Sequence, residues 1–281
     1  MVRHLGILFV AAALTACATA PEASLRVEGN RLFLPVEVNG AASDALLDSG
    51  AEMTLIDTAF AQQAGLVAFG SEEVKGTGAG TEEVQFAESV TLAAAGQTLE
   101  GQAVAILDLT DISSRVVGHP VAVILGRELF DAGRYELDIA RGHLQRVSRE
   151  TSPRGELLAL SDANGIKQVD LRINGQAVRA DFDLGNGSEI LLSPSFAEAA
   201  GLLSPDNIVG TKDGGGIGGP VERTIVRVRT LELAGRVLTD LTAAVSPSED
   251  GADANIGVSV LRGFGLVIDF PENKVWMEAR D

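Results

Sequence analysis

Two aspartates in this sequence stand where an apolar run gives way to a small, permissive turn. Asp48 closes the run Ala45-Leu46-Leu47 and is followed by Ser49, Gly50 and Ala51, before the chain turns apolar again at Leu55 and Ile56. Asp183 follows Phe182 and precedes Leu184, Gly185, Asn186 and Gly187. A carboxylate on a tight turn between two buried strands is held rigidly and aimed. Glycine beside it lets backbone approach where a side chain would obstruct. Two carboxylates brought close together cannot both ionise, so they share one proton and titrate as a pair. Such a pair holds a base and an acid side by side.

The elements around the two turns repeat. From Val36 the chain reads strand, Asn39-Gly40, strand, Asp48; from Val169 it reads strand, Asn174-Gly175, strand, Asp183. Asn-Gly between alternating apolar runs signals a hairpin. Gly40 precedes Asp48 by eight positions, and Gly175 precedes Asp183 by eight. A short helix is predicted after each turn, Phe60 to Leu66 and Phe196 to Leu202. Glycine clusters follow: Gly76, Gly78 and Gly80 in the first copy, and Gly214, Gly215, Gly216, Gly218 and Gly219 in the second. Each leads into an alternating strand that meets Ala95-Gly96 or Ala234-Gly235. An apolar-Gly step comes next, at Gly126 and at Gly257, with a second short helix predicted over Arg127 to Gly133 and Val258 to Phe264. Twelve residues beyond each glycine stands an aspartate in a strand-like setting, Asp138 and Asp269. Many short strands at regular intervals predict a mainly β architecture of two tandem lobes. The polar stretch Glu150 to Gly155 marks the boundary, giving lobes over 27–150 and 155–281.

The 281 residues fit two moderate domains, and 46% of them are hydrophobic, enough for real cores. Aromatics are only 4%, so those cores are packed with Ala, Val, Leu and Ile. A formal charge of -17 argues against nucleic acid as a partner and otherwise reads as solubility. The one cysteine, Cys17, leaves no internal disulfide, and His4, His119 and His143 lie at no metal-ligand spacing, which argues against a zinc site. Nothing in the sequence calls for a cofactor.

The first sixteen residues read as an export signal, with Arg3 and His4 before the apolar run Leu5 to Leu14. That run is too short to span a bilayer stably. Its end, Leu14-Thr15-Ala16-Cys17, resembles a bacterial lipobox, which implies a lipid on Cys17, a short tether over 17–26 and attachment to a membrane surface. Ala18 lacks the aspartate that favours inner-membrane retention, which implies the periplasmic side of an outer membrane where there is one. An ordinary signal peptide with a chance cysteine is the alternative.

Asp-Ser-Gly-Ala after an apolar strand, a glycine-rich flap and Val123-Ile124-Leu125-Gly126-Arg127-Glu128 together resemble the retropepsin-like aspartic proteases. Five landmarks in order, twice, cover Val27 to Glu278, and the match is to bacterial proteases with two such units in one chain. The resemblance implies that Asp48 and Asp183 form a dyad in a cleft between the lobes and cut an extended peptide with an activated water. It implies that Ser49 bonds across to the other lobe, with Gly50, Ala51, Leu184 and Gly185 supporting the turns, and that the glycine clusters form flaps. It also implies a monomer whose lobes mimic a dimer, with a peptide or protein as its partner.

The second copy departs from the pattern. Leu184 stands where the family has Thr or Ser, and the segment from Asp183 to Phe196 is one residue longer than from Asp48 to Phe60. Three readings follow from these residues: an endopeptidase, a cleft that binds extended peptide without cutting it, and units that pair between chains. The short connection at Glu150 to Gly155 disfavours the third. For Asp183 the bland alternative is an aspartate that braces its turn.

Overall fold

The computed structural model describes residues 23–163, 165–249 and 251–280. The stretch expected to be an export signal and Cys17 lie outside them. Two lobes of the same topology face each other. In the first, eight strands run in the order Arg26–Glu28, Arg31–Val38, Ala41–Leu47, Val123–Leu125, Leu55–Asp57, Gln97–Leu107, Thr81–Ala94 and Phe69–Lys75. The sheet curls back on itself where Val36 pairs with Ala94. The second lobe repeats this order from Ile166–Ile173 and Gln176–Phe182 through Ala254–Ile256, Ile190–Leu192, Arg236–Val245, Val221–Leu233 and Ile208–Gly214. It curls back through Arg172 and Glu232.

The hairpin signals correspond to real turns. Asn39 and Gly40 have φ of 48° and 83°, and Asn174 and Gly175 have 50° and 80°, the two left-handed residues of a type I′ turn. Each asparagine also pins its hairpin to the long strand beyond: Asn39 Oδ1 accepts from Thr91 N at 2.9 Å, and Asn174 Oδ1 accepts from Thr230 N at 3.0 Å.

The helices after the aspartate turns span Thr58–Gln63 and Pro194–Ala199, two residues ahead of the predicted starts. Their caps explain the shift. Asp57 Oδ1 accepts from Ala59 N at 2.9 Å and Ser193 Oγ from Phe196 N at 3.2 Å, with Pro194 at the first helical position. They end early because Gly65 and Gly201 turn left-handed, φ 67° and 65°. The helices beyond Gly126 and Gly257 are single turns, Glu128–Asp131 and Val258–Leu261.

The lobes are joined by a sheet that belongs to both. Ala23–Ser24, His143–Arg146 and Arg134–Asp138 of the first half continue directly into Phe264–Asp269, Lys274–Ala279 and Glu156–Ala163 of the second. Ala23–Ser24 and Arg26–Glu28 are therefore strands where a tether was expected through Arg26, and Leu25 between them is buried. The pattern is too short to read as a strand by alternation; pairing with His143 and Leu144 orders it. At the centre of this sheet the aspartates beyond the apolar-Gly steps cross the lobe boundary. Asp138 pairs with Arg280 at 2.9 Å, and Asp269 pairs with Arg149 at 2.8 Å and Arg134 at 2.9 Å. Each aspartate lies eleven residues before the arginine of its own lobe, yet binds the arginine of the other.

Candidate active site

Each aspartate is positioned by a parallel strand pair. Ala41–Leu47 runs parallel to Val123–Leu125, so Asp48 N donates to Leu125 O at 2.9 Å; Asp183 N donates to Ile256 O at 3.0 Å in the same way. The turns that follow fold back onto the carboxyls. Asp48 Oδ1 accepts from Gly50 N at 2.8 Å and Ala51 N at 3.1 Å; Asp183 Oδ1 accepts from Gly185 N at 2.8 Å and Asn186 N at 3.1 Å. The apolar-Gly steps then clamp the turns from behind. Arg127 N donates to Ala51 O at 3.0 Å, and Val258 N to Asn186 O at 2.9 Å. Gly126 and Gly257 allow this approach, since a Cβ on Gly126 would fall 2.7 Å from Met53 C and one on Gly257 would overlap Asn186 O.

The two carboxyls come together. A Cβ on Gly50 would lie 2.9 Å from Asp183 Oδ1, and one on Gly185 would intrude on the carboxyl of Asp48. The glycine of each turn thus makes room for the aspartate of the other lobe, and the carboxyls are within hydrogen-bonding reach. Between them Ser49, fully buried, spans the lobes: its Oγ donates to Phe182 O at 3.0 Å and accepts from Leu184 N at 2.9 Å. Leu184 supplies that amide, but its buried side chain joins the core and returns no hydroxyl to lobe 1.

The electrostatics are not symmetric. Desolvation pushes the Asp48 carboxyl up to about 8, and the charge of Asp183 adds to it, against the pull of the Gly50 and Ala51 amides. Asp183 receives one more donor: Asn255 Nδ2 reaches its outer Oδ2 at 2.8 Å. Asn255 is oriented by Asn186, whose Nδ2 donates to Asn255 Oδ1 at 2.8 Å. The corresponding residue beside Asp48 is Ile124, which donates nothing. A hydrogen bond to the charged form of a carboxyl favours that form, and this donor is offered to Asp183. A basic residue stands close by: Arg31 Nη1 donates to Gly185 O at 3.3 Å and its Nε to Val116 O at 3.3 Å.

The glycine clusters form the tips of two hairpins, Phe69–Lys75 with Thr81–Ala94 and Ile208–Gly214 with Val221–Leu233. The tips are bonded to each other. Gly78 N donates to Ile217 O at 2.8 Å, and Gly80 N to Gly218 O at 2.7 Å. A Cβ at Gly76 would meet Ile217 O at 2.6 Å and one at Gly78 would meet Gly219 O at 2.5 Å, so the tips pack backbone to backbone, while one at Gly216 would meet Thr77 Oγ1 at 2.6 Å. Gly214 ends its strand, and Gly215 and Gly219 turn left-handed with φ of 95° and 88°.

Asn255, Arg31 and the cross-lobe arginines were not singled out in the sequence. Asn255 carried one signal: it precedes Ile256-Gly257 where the first copy has an apolar residue, and that polar replacement faces the site.

Residues 34–129 and 169–260 match the Aspartyl protease family, one match on each lobe and together more than half of the chain. No curated protein matches. Among solved structures that do is a retropepsin-like aspartic protease from Rickettsia conorii, at 17% identity and a TM-score of 0.36, covering 43% of this chain and 88% of that one.

Proposed function

The chain belongs to the aspartyl protease family, and from that premise we propose that it is an endopeptidase with Asp48 and Asp183 as its catalytic dyad. The observation that carries this reading is the mutual seating of Gly50 against Asp183 and Gly185 against Asp48, which places two carboxyls at one point. Asp183, charged and held by Asn255, takes a proton from a water as that water attacks the peptide carbonyl. Asp48 gives its proton to the carbonyl oxygen, so no free oxyanion forms. In the second half Asp183 passes its new proton to the amide nitrogen, the C–N bond breaks, and Asp48 recovers a proton from the tetrahedral species. The products are a carboxylic acid and an amine, and the dyad returns to its starting state. An extended peptide fits a cleft closed by two strand edges, because main-chain bonds hold it independently of side chains.

The test is a mixed peptide library incubated with the purified protein, with Asp48→Asn and with Asp183→Asn. Cleavage that disappears in both variants supports the dyad. Absence of cleavage by the parent from about pH 4 to 8 overturns it and leaves a peptide-binding cleft, the reading that the one-sided Ser49 bridge favours.

We also propose that Cys17 carries a lipid that holds the catalytic lobes on the periplasmic side of an outer membrane, on the strength of the Leu14-Thr15-Ala16-Cys17 run. Cys17→Ser should move the protein to the soluble fraction; a variant still found in membranes sinks the anchor.

A further inference from the structure

The flap of lobe 2 is bonded by an insertion that lobe 1 alone possesses. Between strands Gln97–Leu107 and Val123–Leu125, lobe 1 inserts fifteen residues, 108–122; the matching connection in lobe 2, 246–253, has eight. The longer connection folds into a π-helical turn, Ile112–Val117, that presents Arg115 to the opposite flap. The Arg115 guanidinium donates to three successive flap carbonyls: Gly214 O at 3.3 Å, Gly215 O at 2.8 Å and Gly216 O at 2.9 Å. Asp111 holds it from behind through Nε at 3.1 Å and Nη2 at 2.5 Å. A planar fork fixed by a carboxylate and spent on three backbone acceptors sets the position of whatever follows them.

Ile217 follows them. Its side chain packs on an apolar cluster of lobe 1 that includes Phe33, Leu46, Val84 and Ile124. Leu46 is two residues before Asp48, and Ile124 pairs with Leu46 on the neighbouring strand, so part of this cluster lies beside the turn that carries Asp48. Apolar surface beside reacting groups can hold a substrate side chain, and here the flap's own Ile217 lies against it.

We propose that Arg115 is a latch that keeps Ile217 seated in a side-chain subsite of lobe 1, so that the resting cleft is self-occluded and is opened by substrates whose apolar side chain displaces Ile217. The proposal rests on the endopeptidase reading for its biological sense, but its test does not require cleavage. The substrate class it names is an extended peptide with a branched aliphatic residue on the lobe 1 side of the scissile bond. The glycines on either side of Ile217 give the tip the freedom to withdraw it.

Hydrogen exchange on the full-length protein reads the latch. Arg115→Ala should speed exchange of the amides in 208–221 about tenfold, the effect of losing charge-assisted bonds, while the core strand Gln176–Phe182 keeps its protection. Unchanged flap exchange overturns the latch. If the Ala variant also loosens that core strand, Asp111→Asn decides instead, since it frees the guanidinium without removing it: faster flap exchange supports the proposal and no change overturns it. Occupancy is read by binding to the Asp48→Asn protein, which needs no turnover. The probes are alanine-based hexapeptides carrying Leu, Ile or Val, against the same set carrying Asp or Lys. Ile217→Ala in that background should tighten the aliphatic set about tenfold and leave the charged set unchanged. Equal effects on both sets overturn the subsite assignment. Success of these two measurements with no cleavage by the parent would remove the endopeptidase reading and leave the latch standing.

Discussion

The two lobes share every strand and differ in what three of those strands present beside the dyad. In lobe 1, Phe33, Leu46 and Ile124 face one another across adjacent strands. At the same register in lobe 2 stand Gln168, Asp181 and Asn255. The first trio joins an apolar cluster with Val84, Leu107 and Leu109. The second is a polar set, with Gln168 and Asp181 buried and Asn255 half-buried: Gln168 Nε2 donates to Asp181 Oδ1 at 2.9 Å, and Asn255 donates to Asp183. Burial pushes the Asp181 carboxyl up to about 6, with the Gln168 bond opposing and the charge of Asp183 reinforcing. Two copies with identical walls would leave the dyad proton shared evenly. Unequal walls break that symmetry, because the neighbourhood of Asp48 is apolar while Asp183 is offered an amide donor.

The crossed ion pairs extend that inequality to the shared sheet, and breaking them should give the largest effect. Asp269 is completely buried and serves Arg149 and Arg134, whereas Asp138 serves Arg280 and, at 3.7 Å, the exposed Arg141. The position matching Arg134 in the other lobe is Gly265, whose missing side chain leaves room for Arg280. Asp269→Asn strands the buried Arg134 without its anion and should lower unfolding free energy by about 3–5 kcal/mol. Asp138→Asn, whose partners are better hydrated, should cost about half as much. Denaturant titration of the two variants measures the difference; equal losses would remove the asymmetry.

Part of this was legible before the fold was. The common interval from Asn-Gly to Asp, and from Gly126 and Gly257 to Asp138 and Asp269, marked the two aspartates that the fold brings together, because turn chemistry and strand alternation are local. Asp138 and Asp269 were visible only as an unexplained repeat, since the arginines they bind stand in the other lobe, 120 and 135 residues away in the case of Asp269. Arg115 was invisible for the same reason: its acceptors are carbonyls about a hundred residues away that any residue would supply. Ala23–Ser24 was too short to alternate. What sequence pattern misses here is pairing across the lobes, which depends on long-range register rather than on composition.

A change at the turns tests the next difference. Ser49 makes both of its bonds to lobe 2, and Leu184 returns none from its side chain. Ser49→Ala leaves Leu184 N and Phe182 O without that partner at a buried site, so stability should fall by about 2–3 kcal/mol. Leu184→Thr would offer lobe 1 the missing hydroxyl but empties core volume, and should lower stability by about 2 kcal/mol or more unless that hydroxyl finds its partner across the lobes. Thermal melts of the two variants settle whether one hydroxyl is enough. A Ser49→Ala protein as stable as the parent would mean the lobes are held by the shared sheet alone.

The smallest and most specific change makes lobe 2 resemble lobe 1 at one atom. Asn255→Ile removes the donor on Asp183 Oδ2 and the acceptor for Asn186 Nδ2, while copying the residue beside Asp48. The charged form of the dyad loses a bond worth about 1.5 kcal/mol or more, so kcat/KM should fall about tenfold at acid pH. The acidic limb of the pH profile should move upward, because the dyad now needs a higher pH to give up its first proton. The basic limb should stay, since it follows the loss of the proton on Asp48, whose carboxyl is pushed up to about 8. The sign for stability follows from the same shift. A carboxyl raised in the folded state stabilises fully below its ordinary value and loses that contribution as pH rises through the raised one. Melting temperature in the parent should therefore decline between roughly pH 4 and 8 from this group, and Asp48→Asn should flatten that decline. Both limbs moving together in Asn255→Ile would mean that the amide positions the turn, and that the lobes do not divide acid from base.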